Sequence, residues 1–336
     1  MLLRVVVKRE FSKDADVLSG VPLGTVLGPI LFLVHINDLP ECVSSSVRLF
    51  ADDCLLYRVI KSYQDHLDLQ KDLKNLENWA AKWGMKFNAT KCYILPVKKK
   101  TSFMYQLDNV FLKEVTNNPY LGLNISNDLT WNYHINAMCK KASSTLGFIR
   151  RNLKMCPKET RLAAYTSLVR STLEYGAVIW DPFTQNEISK IERIQRQAAR
   201  FITNDYRSRE TGSMTQMLKT LDLSTLQQRR KEIRLTFLFK IVEDLIPAIP
   251  KENYLVQLSN KRRIKPKQFQ DCVSKNIVDR FQTNNTKPFK IPEAKNSEQY
   301  KNSFFVRTVA EWNTLDNEAV HAGSVDAFKA HLKKNN

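Results

Sequence analysis

The sequence predicts an α+β chain, in which a hairpin-bearing first part gives way to a longer, helical and basic part. Three observations carry this. Short β-branched and apolar runs dominate the first 130 residues. Two of these runs, Val47–Ala51 and Cys54–Val59, are separated by two residues, the spacing of a tight hairpin. Beyond about Trp131, apolar positions recur at three- and four-residue intervals, the period of amphipathic helices.

Taken in order, residues 2 to 7 suit a strand, Ser12 to Asp16 a polar turn, and Val17–Leu18 a short strand before the loop S-G-V-P-L-G. Gly28–Pro29 opens a helix, because proline at the first helical position gives up no needed N–H. This helix is expected to run from Pro29 to about Asp38. It is apolar nearly all round and so is expected to be buried, and Pro40 stops it. From Gln64 to Trp83 the positions Leu67, Leu69, Leu73, Leu76, Trp79 and Ala80 keep helical spacing, and Gly84 ends the run. Met85 to Leu95 returns to strand character. Residues 257 to 298 are polar, with K-R-R-I-K-P-K at 261 to 267, and a last helical pattern runs from Ser303 to about Lys334.

The 52 Lys and Arg residues outnumber 34 Asp and Glu, a net charge of +18. Such a field favours a polyanionic partner, nucleic acid before an anionic membrane surface. Residues 136 to 240 alone hold 20 basic against 9 acidic side chains. Within I-S-K-I-E-R-I-Q-R-Q-A-A-R-F, Lys190, Arg193, Arg196 and Arg200 fall on one side of a helical wheel. Ile191, Ile194, Ala198 and Phe201 fall on the other, which makes the cations candidates for phosphate-backbone contact. The six cysteines show no regular spacing and read as reduced intracellular thiols. His134 and Cys139 lack the further ligands a zinc site needs. No run is long enough to cross a bilayer and no secretory signal is expected.

The stretch S-V-R-L-F-A-D-D-C-L-L-Y (46 to 57) sets Asp52 and Asp53 side by side where a two-residue turn would fall. The flanks are apolar on both faces, which implies a buried ribbon. Adjacent carboxylates there repel each other unless a cation lies between them. A divalent ion of the kind that pairs carboxylates with phosphate oxygens answers that need.

At this point the residues carry a family resemblance. S-G-V-P-L-G-T-V-L-G-P-I-L-F-L-V-H-I-N-D-L-P (19 to 40), followed by L-F-A-D-D-C-L-L-Y (49 to 57), closely resembles non-LTR retrotransposon reverse transcriptases of the jockey type. W-G-M-K-F-N-A-T-K-C (83 to 92) and Y-L-G-L-N-I-S-N-D-L-T-W-N-Y-H-I (120 to 135) resemble that family's next motifs in the same order. L-E-Y-G-A-V-I-W-D-P (173 to 182) and S-F-F-V-R-T-V-A-E-W-N-T-L (303 to 315) resemble its downstream helical region.

The resemblance implies a partial right-hand polymerase: a palm over 1–130, a basic helical thumb or connection over 131–256, a polar linker over 257–302 and a C-terminal helical unit over 303–336. It implies an RNA-directed DNA polymerase using Mg²⁺ or Mn²⁺ on an RNA template and DNA primer, nuclear within the cell. Asp52 and Asp53 are then the catalytic metal ligands. Gly20, Pro22, Leu23, Gly24 and Lys91 border nucleotide and template, and Tyr120, Leu121 and Gly122 form the primer grip. Two departures stand out. Leu23 replaces the family's usual Gln, and the family's upstream metal-binding Asp and fingers do not appear before Ser19. Asp14 and Asp16 lie too close to the loop to supply that motif. The expectation is therefore a truncated enzyme, inactive alone and completed by a missing N-terminal polymerase half or endonuclease. The alternative is a non-catalytic nucleic-acid-binding remnant that uses the basic helices.

Overall fold

Among the described residues, short strands and two α-helices form most of the first 118 positions and helices dominate the remainder, a mixed helix-and-strand architecture. The computed structural model describes residues 2–4, 6–16, 26–98, 103–208, 210–258, 285–293 and 297–334. These form two units, Met1–Asn118 and Pro119–Asn336. No helix among the described residues is long and apolar enough to cross a membrane.

In the first unit, β1 (Leu2–Leu3) pairs antiparallel with β4 (Ala15–Asp16), and β2 (Val6–Val7) with β3 (Glu10–Phe11). The chain reverses at Lys8 and Arg9, both at positive φ (51° and 72°), so the polar turn expected at Ser12 to Asp16 lies earlier. Val6 paired with Phe11 and Val7 with Glu10 fixes the reversal there, and Asp14 instead ion-pairs with Arg4 at 2.6 Å.

Helix α1 (Gly28–Ile36) begins with Pro29 in its first turn, as the sequence predicts, and a short 3₁₀ turn with Pro40 follows at Leu39–Cys42. It is not buried. Ile36 and Leu39 enter a core with Leu76, Trp79 and Ala80, while Ile30, Leu31, Leu33 and Val34 stay exposed. A helix apolar on every side exceeds what one packing face can cover.

Helix α2 (Tyr63–Lys82) matches its expected span to within a residue. Asp65 secures its start by accepting from the backbone N–H groups of Lys61 and Ser62, which hold its carboxyl down to about 2. Gly84, at φ +66°, lets the chain turn so that the Met85 N–H reaches the Ala80 carbonyl at 2.8 Å. The strand expected over Met85 to Leu95 shrinks to β7 (Tyr93–Ile94). Local bonding around Asn88 favours a 3₁₀ turn at Ala89–Lys91 instead: the Lys91 N–H donates to the Asn88 carbonyl, and the Thr90 hydroxyl to its side chain.

The second unit begins in the strand Asn117–Tyr120 and continues through Leu123–Ser126. Helices α3 (Asn132–Asn152), α4 (Lys158–Ala164), α5 (Ser171–Glu174), α6 (Ala177–Trp180), α7 (Gln185–Thr203) and α8 (Ser213–Thr220) surround one core. Within it the Tyr165 hydroxyl bonds Gln195 Oε1 at 2.8 Å, both residues being buried. A second core joins α9 (Leu226–Val242), past the short α10 (Glu298–Lys301), to the last helices, α11 (Phe304–Trp312), α12 (Asn317–Val320) and α13 (Val325–Lys334). There Phe239 stacks on Phe328 with ring centres 4.5 Å apart.

Candidate functional site

The paired aspartates sit on a hairpin of β5 (Ser46–Phe50) and β6 (Asp53–Tyr57). Its register pairs Phe50 with Asp53, Leu49 with Cys54, Val47 with Leu56 and Ser46 with Tyr57. The two turn residues are therefore Ala51 and Asp52, not Asp52 and Asp53. Ala51 takes the left-handed conformation at φ 49°, and Asp53 is already the first residue of the returning strand. Sequence spacing misplaced the turn by one residue because an alanine gives no signal for that conformation.

Nor is the ribbon buried on both faces. Val47, Leu49, Cys54 and Leu56 pack onto the core of α1 and α2, and burial pushes the Cys54 thiol up to about 11. On the opposite face Phe50 and Tyr57 are exposed, and Arg48 lies 5.9 Å from the Tyr57 ring centre. One core face suffices to anchor a two-stranded ribbon, which leaves the outer apolar side chains bare. Asp52 and Asp53 are both exposed, and their carboxylates have no hydrogen bond or ion pair among the described residues. Two uncommitted carboxylates at a rigid tip are the donor type that a hard divalent cation takes, and they leave room for phosphate oxygens. No third His, Cys, Asp or Glu joins them as a metal-holding group among the described residues.

A residue that the sequence reading passed over fixes this hairpin. Asp72, on α2, is 2% exposed. Its carboxylate accepts from the Ser44 N–H (2.9 Å), the Ser45 N–H (2.8 Å) and the Ser44 hydroxyl (3.0 Å), just before β5. Burial disfavours its charge, but these donors outweigh burial and hold the carboxyl below its usual range. Arg58, the residue after β6, donates to Ser44 Oγ at 3.0 Å and to Asp68 at 2.8 Å. Both ends of the hairpin are thus tied to α2. The available signal was an acid inside an otherwise amphipathic helix, one turn from Leu76.

The other expected site residues divide clearly. Gly20, Pro22, Leu23 and Gly24 lie outside the described residues, as does the basic run 261 to 267. Lys91 is exposed at the end of its 3₁₀ turn. Leu121 and Gly122 form a turn with φ of 48° and 79°, following Tyr120. Tyr175, from L-E-Y-G, donates its hydroxyl to the Leu121 carbonyl at 3.0 Å, and a Cβ on Gly122 would stand 3.0 Å from its ring. Two of the motifs read separately in the sequence are therefore in direct contact.

On α7 the apolar side is buried as expected. The cationic side is less available than the wheel implied. Lys190 donates to Asn136 at 3.1 Å and Arg200 to the Ser208 carbonyl at 3.2 Å, leaving Arg193 and Arg196 exposed. Amide and carbonyl oxygens from other elements capture cations that a single-helix projection shows as free.

Two further motifs converge on a buried cluster that the sequence did not announce. Asp181, from W-D-P, accepts from Arg230 Nε (2.6 Å) and Arg234 Nε (2.8 Å), and Arg307 Nη1 lies 3.2 Å away. Arg234 also reaches Thr308 (3.2 Å) and Glu311 (3.0 Å). Burial first, then repulsion from Arg234, pulls the Arg307 guanidinium below its usual value. This network joins α6, α9 and α11, so the cations of α9 that it uses hold the fold.

Residues 3–125 match the family described as reverse transcriptase (RNA-dependent DNA polymerase). The chain is 27% identical over 214 residues to a probable RNA-directed DNA polymerase from transposon BS of Drosophila melanogaster, covering 59% of this chain and 24% of that protein. It is 25% identical over 205 residues to the probable polymerase from transposon X-element of the same organism, 57% of this chain and 22% of that protein. To the polymerase of mobile element jockey it is 24% identical over 208 residues, again 57% and 22%. The chain thus spans about a quarter of the length of these relatives. Residues 3–125 match the reverse transcriptase family, and over more than half its length the chain is similar to RNA-directed DNA polymerases of Drosophila mobile elements, jockey among them.

Proposed function

We propose that this chain acts in RNA-directed DNA synthesis, with the β5–β6 hairpin as its metal-holding element. The observation that carries the reading is the Asp52–Asp53 pair, exposed and uncommitted at the tip of a braced hairpin inside the matched segment. In this reading the first unit is palm and the helices that follow are thumb and C-terminal extension. Asp52 and Asp53 would hold a divalent cation, which supplies charge neutralisation and orientation for phosphoryl oxygens. The chain's own residues do the positioning: Asp72 and Arg58 hold the hairpin ends, the Val47–Leu56 face anchors it, and the Leu121–Gly122 turn, held by Tyr175, serves as primer grip. RNA-templated primer extension with Mg²⁺ or Mn²⁺ tests this. The expected result is extension by the wild type that Asp52→Asn abolishes; extension unchanged by that substitution would remove the hairpin from the chemistry.

A second reading, nucleic-acid binding without synthesis, draws on two observations. Only two carboxylates gather at the tip among the described residues, and Arg193 and Arg196 are exposed on α7. It predicts steeply salt-dependent RNA binding that Asp52→Asn leaves unchanged, with no extension.

A further inference from the structure

A cleft in the second unit combines an apolar floor with a cationic rim. Val178 of α6 and Ile233 and Phe237 of α9 form the floor, and Lys240, Lys329 and Lys333 stand around it. The Phe239–Phe328 stack locks α9 against α13, and Lys240 and Lys329 are the residues immediately after those rings. Their positions are therefore set by the core. Lys329 and Lys333 are exposed and one turn apart on α13, a rise of about 6 Å, suited to successive phosphates of one strand. Lys329 has one weak surface partner, Asp326 at 3.4 Å, while the ammonium groups of Lys240 and Lys333 have no hydrogen bond or ion pair among the described residues. The other two charges are already engaged: Arg229 with Glu174, and Glu232 with Gln228 at 3.1 Å.

We propose that this cleft binds single-stranded nucleic acid, its lysines contacting the phosphate backbone and its Val178–Ile233–Phe237 floor receiving a base. Phe237 packs edge-on against Phe304, ring centres 5.5 Å apart, so its exposed part is held rigidly. A charged groove beside an aromatic surface is how sequence-independent single-strand binding is built. The inference rests on the proposed role in RNA-directed synthesis, which supplies the partner's class. It places that contact on α9 and α13, away from the α7 face to which the sequence pointed.

The test is fluorescence anisotropy of a labelled oligouridylate with the full chain across a salt series. Wild type is compared with K329E/K333E and with K8E/K13E, which makes the same change of net charge on exposed lysines of the first unit. Loss of two phosphate contacts lowers the log–log salt slope by about 1.4, or 0.7 for each lysine. Affinity then falls roughly 25-fold at 0.1 M salt, with the curves converging near 1 M. K8E/K13E is expected to leave the slope as in wild type. An unchanged slope in K329E/K333E, an equal loss in K8E/K13E, or binding to phosphatidylserine vesicles in preference to RNA would each overturn the proposal. RNA binding by wild type with no effect of K329E/K333E sinks this inference alone, whereas no RNA binding at all sinks it together with the proposed function.

Discussion

Removing the Asp72 carboxylate is expected to free the β5–β6 hairpin from its base. In Asp72→Ala, the Ser44 and Ser45 N–H groups lose a charged acceptor, and the Ser45 group is in a buried setting. Each such bond contributes about 1.5–3 kcal/mol. The Ser44 hydroxyl can turn to water, since Ser44 is exposed. The expected loss is therefore about 3–6 kcal/mol, a large share of the ~5–15 kcal/mol that typically holds a domain. Asp72→Asn keeps one acceptor oxygen and is expected to lose about half as much. The pH dependence has a defined sign. A carboxyl held below its ordinary value contributes stability that is fully present above the unfolded-state value, near pH 4, and is lost as pH falls through the lower folded value. Asp72→Asn is expected to flatten that acid limb. Urea unfolding gives the total, and hydrogen exchange of peptides spanning 44 to 58 gives the location. A loss below about 1 kcal/mol, with unchanged exchange in β5 and β6, would refute the argument that Asp72 fixes the hairpin.

The same reasoning extends to three other positions. Asp181→Asn leaves Arg230 and Arg234 buried without their shared counter-charge and is expected to cost about 3–5 kcal/mol, read as a lowered urea midpoint. Gly122→Ala combines a φ of +79° with a methyl 3.0 Å from the Tyr175 ring, an expected loss of about 1–3 kcal/mol that Tyr175→Ala in the same chain reduces. Cys54, with its thiol near 11, is expected to be about 0.1% thiolate at pH 8, so its alkylation rate, followed by peptide mass spectrometry, should still be rising at pH 10.

Elements were legible where one local pattern decided them. Helix α2 was marked by helical spacing and a terminating glycine, and α7 by a clean apolar stripe, and both appear where the sequence put them. Reasoning failed where a partner distant in sequence decides. Asp72 was passed over because the groups that face it, on Ser44 and Ser45, lie 28 and 27 positions away. Arg230 and Arg234 counted towards a basic surface until Asp181 took them into the core. The α1 helix shows the reverse error: hydrophobicity predicts a wish for burial, but the neighbouring elements decide how much is covered. At the candidate site the turn was off by one, which moves Asp53 out of the turn and onto the strand's outer face.

Iron-mediated cleavage tests the central claim most directly. Fe²⁺ replaces the divalent ion, ascorbate and peroxide generate radicals where it binds, and the cut sites are mapped by mass spectrometry. The account predicts scission around Ala51 to Cys54, suppressed by excess Mg²⁺ and absent from an Asp52→Asn/Asp53→Asn chain that keeps wild-type circular dichroism. No cut at the hairpin, or cutting there that survives both substitutions, would contradict it.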